Sequence, residues 1–230
     1  MTMNSIDFSE TPFVVMVTAD EAPGDTGVAW AGPMASTEAL ARLQSGYGGA
    51  IWLTQGRVLG PPSAPDSELL LGLLLWRSSS DAESFAEGMR RTRVDGDLHA
   101  GIVLDDGVYR FSATVSASPN SGTGAESTAT QSEPAHEIIT MTPVSGKQGW
   151  IGEYNESETR DHIRHLEGFV STSFFRDLRS DRIIEYVQWG SADDLTAAFD
   201  DERFAEHMSV NSHYSEGEAH LFSQRSTGEA

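Results

Sequence analysis

Glu185 and Trp189 stand four residues apart in DRIIEYVQW, residues 181–189, whose β-branched and aromatic content predicts a strand. Residues four apart on a strand point to one side. A carboxylate held beside an indole on a helix-covered face is desolvated, so its pKa rises and it can act as a base near neutral pH. The competing reading pairs Glu185 with Arg176, Arg179 or Arg182, or turns it to solvent. Two histidines are candidate partners in proton transfer. His207 falls near the end of a predicted helix, where an imidazolium also suits the helix dipole. His220 lies in the last predicted strand, pointing inward or serving as an ordinary core or edge residue. His162 and His165 share a helix face, but Arg160, Asp161 and Arg164 mark that face as solvated. They lack a complete ligand set, so no metal site is expected. Trp150, Tyr154, His213 and Tyr214 fall near helix ends and loops, from which aromatic side chains gate a pocket. Tyr154 and Tyr214, together with Trp189 as a pocket wall or an ordinary core residue, are the candidate substrate contacts of the second half. In the first half, His99 and Tyr109 are the obvious protic groups, among aromatic bulk from Trp30, Tyr47, Trp52 and Trp76.

The elements that must position these groups read most clearly in the second half. Residues 136–144 predict a strand, and 155–167 a helix with Asn155 as its cap and Gly168 as its stop. Residues 169–176 and 181–189 predict a hairpin, 191–208 a helix, and 218–224 a closing strand. The first half repeats the order: strand 13–18, helix 36–44, strands 50–54 and 69–76, helix 78–91 and strand 107–115. The Pro-rich residues 56–67 read as a loop between its hairpin strands. Each half is β-α-β-β-α-β, the ferredoxin-like unit of the α+β class. A Ser/Thr/Gly/Pro/Ala-rich stretch, 116–135, lacks bulk to bury and reads as a flexible linker. It divides the chain into an N-terminal repeat, 1–115, and a C-terminal repeat, 136–230.

The halves also match in detail. WRSSSDAESF from Trp76 parallels WGSADDLTAAF from Trp189, and Ser78/Ser191 and Asp81/Asp194 keep the same offset of 113 residues. In each, the serine is placed to cap the following helix. The Gly-rich strand starts at Gly49 and Gly168 are offset by 119, the difference being absorbed by a longer hairpin loop in the first half. A four-stranded sheet with helices on one face leaves the other bare, and a second such sheet in the same chain can cover it.

The composition narrows the partners. The formal charge is −20, with 15 basic and 35 acidic residues, which disfavours nucleic acid and anionic lipid. No cysteine is present, which removes disulfides and thiolate chemistry and fits a reducing cytoplasm. Residues 1–10 carry no signal-peptide pattern, and the longest apolar run, 69–76, is far shorter than the roughly 20 residues of a membrane span. No phosphate-binding loop and no G-x-S-x-G elbow occur. A cytoplasmic protein with no membrane partner is expected.

Gly168-Phe169, Trp189-Gly190-Ser191 and Phe204-Ala205-Glu206-His207 fall within 168–208, and this segment resembles the antibiotic biosynthesis monooxygenase superfamily. The resemblance covers about forty residues closely and extends to the first half through Trp76 and its helix. It implies an intrachain version of a dimeric α+β barrel formed by the two ferredoxin-like repeats, with a pocket between each sheet and its helices. It implies an oxygenase of antibiotic biosynthesis that acts on a polycyclic aromatic polyketide, by hydroxylation, quinone formation or ring cleavage with O2. Some members do this without metal or flavin, and tandem ring-opening members use reduced flavin as a co-substrate. Others degrade haem, and some bind ligands or assemble without catalysis; these are the alternative readings. A small aromatic molecule and O2 are the implied partners, with a homodimer as the further assembly. The family places a Trp at this strand end in the substrate pocket, a role carried to Trp189 and, through the repeat, to Trp76. Some members have Asn four residues before that Trp; here the positions hold Glu185 and Gly72. The expected mechanism has Glu185 or a nearby histidine remove a proton while Trp189 stacks on the ring.

Overall fold

The computed structural model describes residues 8–20, 31–57, 69–94, 102–118 and 133–224. Their strands and helices alternate as an α+β fold of two repeats. They divide into two compact units.

The N-terminal unit comprises Phe8–Phe111 and the short segment Asp177–Ser180, with Gln224. Its elements are β1 (Phe13–Asp20), α1 (Ala31–Arg42), β2 (Tyr47–Arg57), β3 (Leu69–Trp76), α2 (Ser79–Val94) and β4 (Ile102–Ser116), the last of which crosses into the other unit after Phe111. The antiparallel order is β2-β3-β1-β4. The C-terminal unit has β5 (Ala135–Pro143), α3 (Gln148–Asp161), a short 3-10 turn at Ile163–His165, β6 (Phe169–Asp177), β7 (Ile183–Trp189), α4 (Ala192–Ala198), α5 (Glu202–Tyr214) and β8 (Ser215–Gln224). Its order, β6-β7-β5-β8, is the same permutation, again antiparallel. The repeat seen in the sequence is therefore a repeat of topology.

Four local features recur so closely that they align the two units residue by residue. Ser78 and Ser191 each accept a hydrogen bond from the backbone N–H three residues on, Asp81 at 3.2 Å and Asp194 at 3.1 Å. Each serine hydroxyl in turn donates to that aspartate's carboxylate, at 2.6 and 2.7 Å. Gly46 and Gly168 both adopt a left-handed φ, 76° and 74°, and an added Cβ at either would collide with the same aspartate carboxyl. Their carbonyls accept from Arg77 N and Gly190 N, at 2.9 and 2.7 Å. The counterpart of Gly168 is thus Gly46 rather than Gly49, and the first half's hairpin loop is correspondingly longer than the sequence alignment suggested. Each following strand carries its register shift at the same place, Tyr47/Gly49 and Phe169/Ser171.

Three element boundaries differ from the sequence reading. Asn155 does not cap a helix; α3 begins seven residues earlier at Gln148, and Asn155 is buried in its middle. The single helix expected over 191–208 is two, because the chain turns at Phe199–Asp200 and Asp201 caps a new helix by accepting from Phe204 N at 2.8 Å. β4 runs past the expected end of the first repeat, and its last residues join the second. Ser112 Oγ donates to Phe174 O at 3.3 Å, and the Thr114 and Ser173 hydroxyls meet at 2.8 Å. Of the proposed linker, Ala117 N and Ser118 N donate to Val170 O and Arg164 O. Residues 119–132, most of loop 56–67, Trp30 and His99 lie outside the described residues.

The cores of the two units are filled differently. In the N-terminal unit, Val15, Leu74, Trp76, Phe85, Met89 and Trp52 belong to one buried cluster. Gly72 stands where the repeat places Glu185, and the Trp52 ring lies directly over it. Its indole N–H donates to Glu38 at 2.7 Å. In the C-terminal unit, β7 is buried along its whole length, so both its faces are covered. One of those faces carries Glu185.

Candidate active site

Strand pairing sets the layout. Ile139 lies opposite Glu185 and Glu137 opposite Val187, so alternation puts Glu137, Ile139, Glu185, Val187 and Trp189 on one face of the β5–β7 pair. Helices α3 and α5 bring Asn155, Thr159, Phe204, His207 and Met208 to the same region. Between sheet and helices lies a cavity of about 230 Å³, lined by Ile139, Met141, Glu185, His207, Met208 and Asn211. Its rim includes Ser212 and Glu218, which are exposed, so this is the solvent side. A smaller chamber of about 20 Å³ lies deeper, bounded by Glu137, Thr172, Glu185, Trp189, Phe204 and His207. Ile139, Glu185, His207 and Met208 line both.

Glu185 is only 5% exposed. Its Oε1 accepts from Asn155 Nδ2 at 2.6 Å, and it has no ion-pair partner among the described residues. Two of the arginines expected to neutralise it pair elsewhere, Arg176 with Glu156 at 3.4 Å and Arg179 with Glu83 at 3.0 Å. Burial, aided by the charges of Glu137 and Glu156 and opposed by the Asn155 bond, pushes the Glu185 carboxyl up to about 7. Glu137, 4% exposed, is likewise pushed up to about 7 by burial. The Trp189 indole N–H lies near enough to hold Glu137 down slightly but falls short of a hydrogen bond, and it has no other partner among the described residues.

His207 is not at a helix end. It sits in the middle of α5, buried, between the Tyr154 ring, stacked at 5.5 Å, and the Phe204 ring. Burial lowers its imidazole to about 4, so it is neutral at neutral pH rather than an imidazolium serving a dipole. Its Nε2 accepts from Asn211 Nδ2 at 3.0 Å, which leaves the proton on Nδ1, a buried atom without a partner among the described residues. A neutral N–H donor therefore borders the cavity.

The remaining sequence candidates fall in different places. Trp189 lines the deep chamber, edge-on to Phe169 and Phe204. Tyr154 stacks between Trp150 and His207, and Tyr214 meets Trp150 edge-on at 4.8 Å. These rings stand beside the cavity, with Lys147 Nζ over both Trp150 and Tyr214. Trp76 is a core residue of the other unit, wedged between Tyr47 and Phe85. His220 pairs with Ile138, on the face opposite Glu185, beside Glu218 and Phe222; it is outside the cavity. His162 is bonded to Asp201 at 2.8 Å, tying the end of α3 to the cap of α5. No group of three or more metal-ligating side chains occurs among the described residues.

Sequence reasoning missed Glu137, Asn155 as a Glu185 partner, and Asn211 as a His207 partner. Glu137 was legible in principle, since an acid inside the apolar-rich strand HEIITMTP is out of pattern. Asn155 and Asn211 carry no such signal, because their roles depend on which helix face meets the sheet.

An α+β tandem repeat with an acid- and imidazole-lined cavity under the helices defines the class of protein. No family model matches the chain. Over 79 residues, 33% of this chain and 70% of the other, it is 32% identical to tetracenomycin-F1 monooxygenase of Streptomyces glaucescens. The chain belongs to the antibiotic biosynthesis monooxygenase superfamily and is an oxidoreductase of the monooxygenase type. Two solved structures share its fold over nearly its full length. An anthrone oxidase-like protein superposes with a TM-score of 0.61 at 18% identity, covering 97% of both chains. A candidate monooxygenase from Fusobacterium nucleatum gives 0.61 at 8% identity, covering 94% of this chain and 93% of that one. No helix among the described residues is long and apolar enough to cross a membrane.

Proposed function

We propose that the chain oxygenates a polycyclic aromatic polyketide in antibiotic biosynthesis, using O2 without a metal and with no flavin required, and that the C-terminal unit carries the chemistry. The observation that carries this reading is Glu185: a buried carboxylate with no cation beside it, raised to about 7, facing a cavity with Trp189 and a neutral His207. The similarity to tetracenomycin-F1 monooxygenase supports the substrate class.

The chemistry follows from the acidity of such substrates. A CH2 group flanked by aromatic rings, next to a phenol or ketone, loses a proton to Glu185 and becomes an electron-rich anion. That anion reduces O2 directly, and a C–O bond forms to give a peroxide. Loss of the second C–H proton with cleavage of the O–O bond leaves a ketone in the ring and releases water. One oxygen atom enters the substrate and the other leaves as water, and the electrons come from the substrate. In this reading His207 Nδ1–H donates to the developing oxyanion, and the covered site keeps water from quenching it. A cavity of about 230 Å³ lies below the usual range of small-molecule pockets, roughly 300–1,000 Å³, so it receives one edge of a ring system, with the rest toward the rim.

Purified protein mixed with an anthrone in an oxygen electrode tests the reading. One O2 should be consumed per quinone formed, and added reduced flavin should not change the rate. Absence of substrate-dependent uptake, with or without reduced flavin, would reject it.

A further inference from the structure

The reaction just described needs an acid as well as a base, because the peroxide's outer oxygen must leave as water. Glu137 and Glu185 are diagonal neighbours across β5 and β7 on one face of the sheet, a spacing at which long side chains reach each other. Both are buried, and both line the chamber of about 20 Å³, which is room for one water-sized molecule. The groups facing them offer no compensating charge. From α3 come Asn155 and Glu156, the latter pairing with Arg176 of β6; from α5 comes the neutral His207; and from β8 comes Glu218 at the outer rim. Two bare carboxylates side by side in such a site are too costly, so the pair retains a proton. The 2.6 Å hydrogen bond from Asn155 favours the charge on Glu185, while Glu137 has only the more distant approach of the Trp189 indole N–H.

We propose that Glu137 is the acid of the reaction and Glu185 its base, the two holding one proton between them, and that the chamber they share is where oxygen is bound and its outer atom leaves as water. This rests on the proposed oxygenase function. Glu185 takes the first C–H proton and returns it to the peroxide once O2 has added. It then takes the second C–H proton as the carbonyl forms and the O–O bond breaks, and Glu137 gives its proton to the departing hydroxide. The pair again holds one proton, now on Glu185, and its transfer to Glu137 resets the site. The charge of Glu137 is among the causes that raise Glu185, which is the coupling such sharing entails.

Two measurements test it. In turnover with an anthrone, Glu137→Gln should still consume O2 but form quinone more slowly, by about 10²-fold or more, with a hydroperoxide accumulating that a phosphine reduces to the alcohol. Unchanged quinone yield and rate in Glu137→Gln would overturn the assignment. The second measurement needs no substrate. In full-length protein labelled with ¹³C at the glutamate carboxyls, the wild type should show two buried carbons titrating in separate steps. Glu185→Gln should lower the Glu137 midpoint by about one pH unit or more. A Glu137 midpoint that does not move would overturn the pairing even if turnover is seen. A shifted midpoint in a protein with no oxygenase activity would support the pair and reject the proposed reaction instead.

Discussion

At the scale of single residues, the proposed function depends on a carboxylate in an environment that disfavours its charge. Glu185 gains one hydrogen bond from Asn155 and loses hydration, and the loss dominates, which is why its carboxyl rises to about 7. The rate of substrate deprotonation should therefore increase with pH up to and through about 7, as Glu185 becomes ionised; an anaerobic pH–rate profile of anion formation checks this. Replacing Asn155 with Leu removes the bond that favours the ionised form, so the rising limb should move to higher pH. The shared facing of Glu185 and Trp189 was legible in the sequence because they lie on one strand, where spacing fixes facing. His207 was legible as a candidate but not in its state. Its burial between Tyr154 and Phe204, which makes it neutral, depends on the packing of α5 on α3. His220 shows the limit from the other side, since its face is set by a register with β5 that the sequence does not state.

At the scale of elements, the site rests on how each helix is started and stopped. The serine–aspartate caps after β3 and β7 were readable, because a cap is a local device written in four consecutive residues. Ser191→Ala should cost about 1 kcal/mol by chemical denaturation. Gly168→Ala should cost more, since it combines a left-handed backbone with a collision against the Asp194 carboxyl that Ser191 holds in place. The start of α3 was not readable: Lys147 precedes it without any side-chain cap, and Gly149 and Gly152 dilute the helical pattern. Those same glycines are informative in hindsight. Arg176 lies against Gly152, where a Cβ would meet the guanidinium, so a small residue is needed where β6 meets α3.

At the scale of the whole molecule, one topology has been used twice with different contents. The N-terminal unit fills with Trp52 the position where the C-terminal unit keeps Glu185, so the repeat that shares the fold does not share the site. Trp52→Phe should lower Tm while leaving kcat for the oxygenation unchanged. The buried titratable groups set a pH dependence of stability with two opposing parts. Glu137 and Glu185 have folded values near 7 against an ordinary 4.5, so their contribution is complete below 4.5 and is lost as pH rises toward 7. His136 and His207 have folded values near 4 against 6.5, so theirs is present above 6.5 and is lost as pH falls toward 4. Above pH 6.5 only the carboxyls act, and Tm should fall between pH 6.5 and 8. The Glu137→Gln/Glu185→Gln double variant should lose that slope and be more stable at pH 8 by an amount on the order of a few kcal/mol.

The central claim is that Glu185 removes a proton from the bound substrate before oxygen reacts. Mixing enzyme and an anthrone under strict exclusion of oxygen isolates that step, because the anion has its own absorbance and cannot be consumed. Wild-type protein should generate the anion spectrum at pH 7.5, and Glu185→Gln, binding the substrate with similar affinity, should not. An equal anion signal from both proteins would contradict the account.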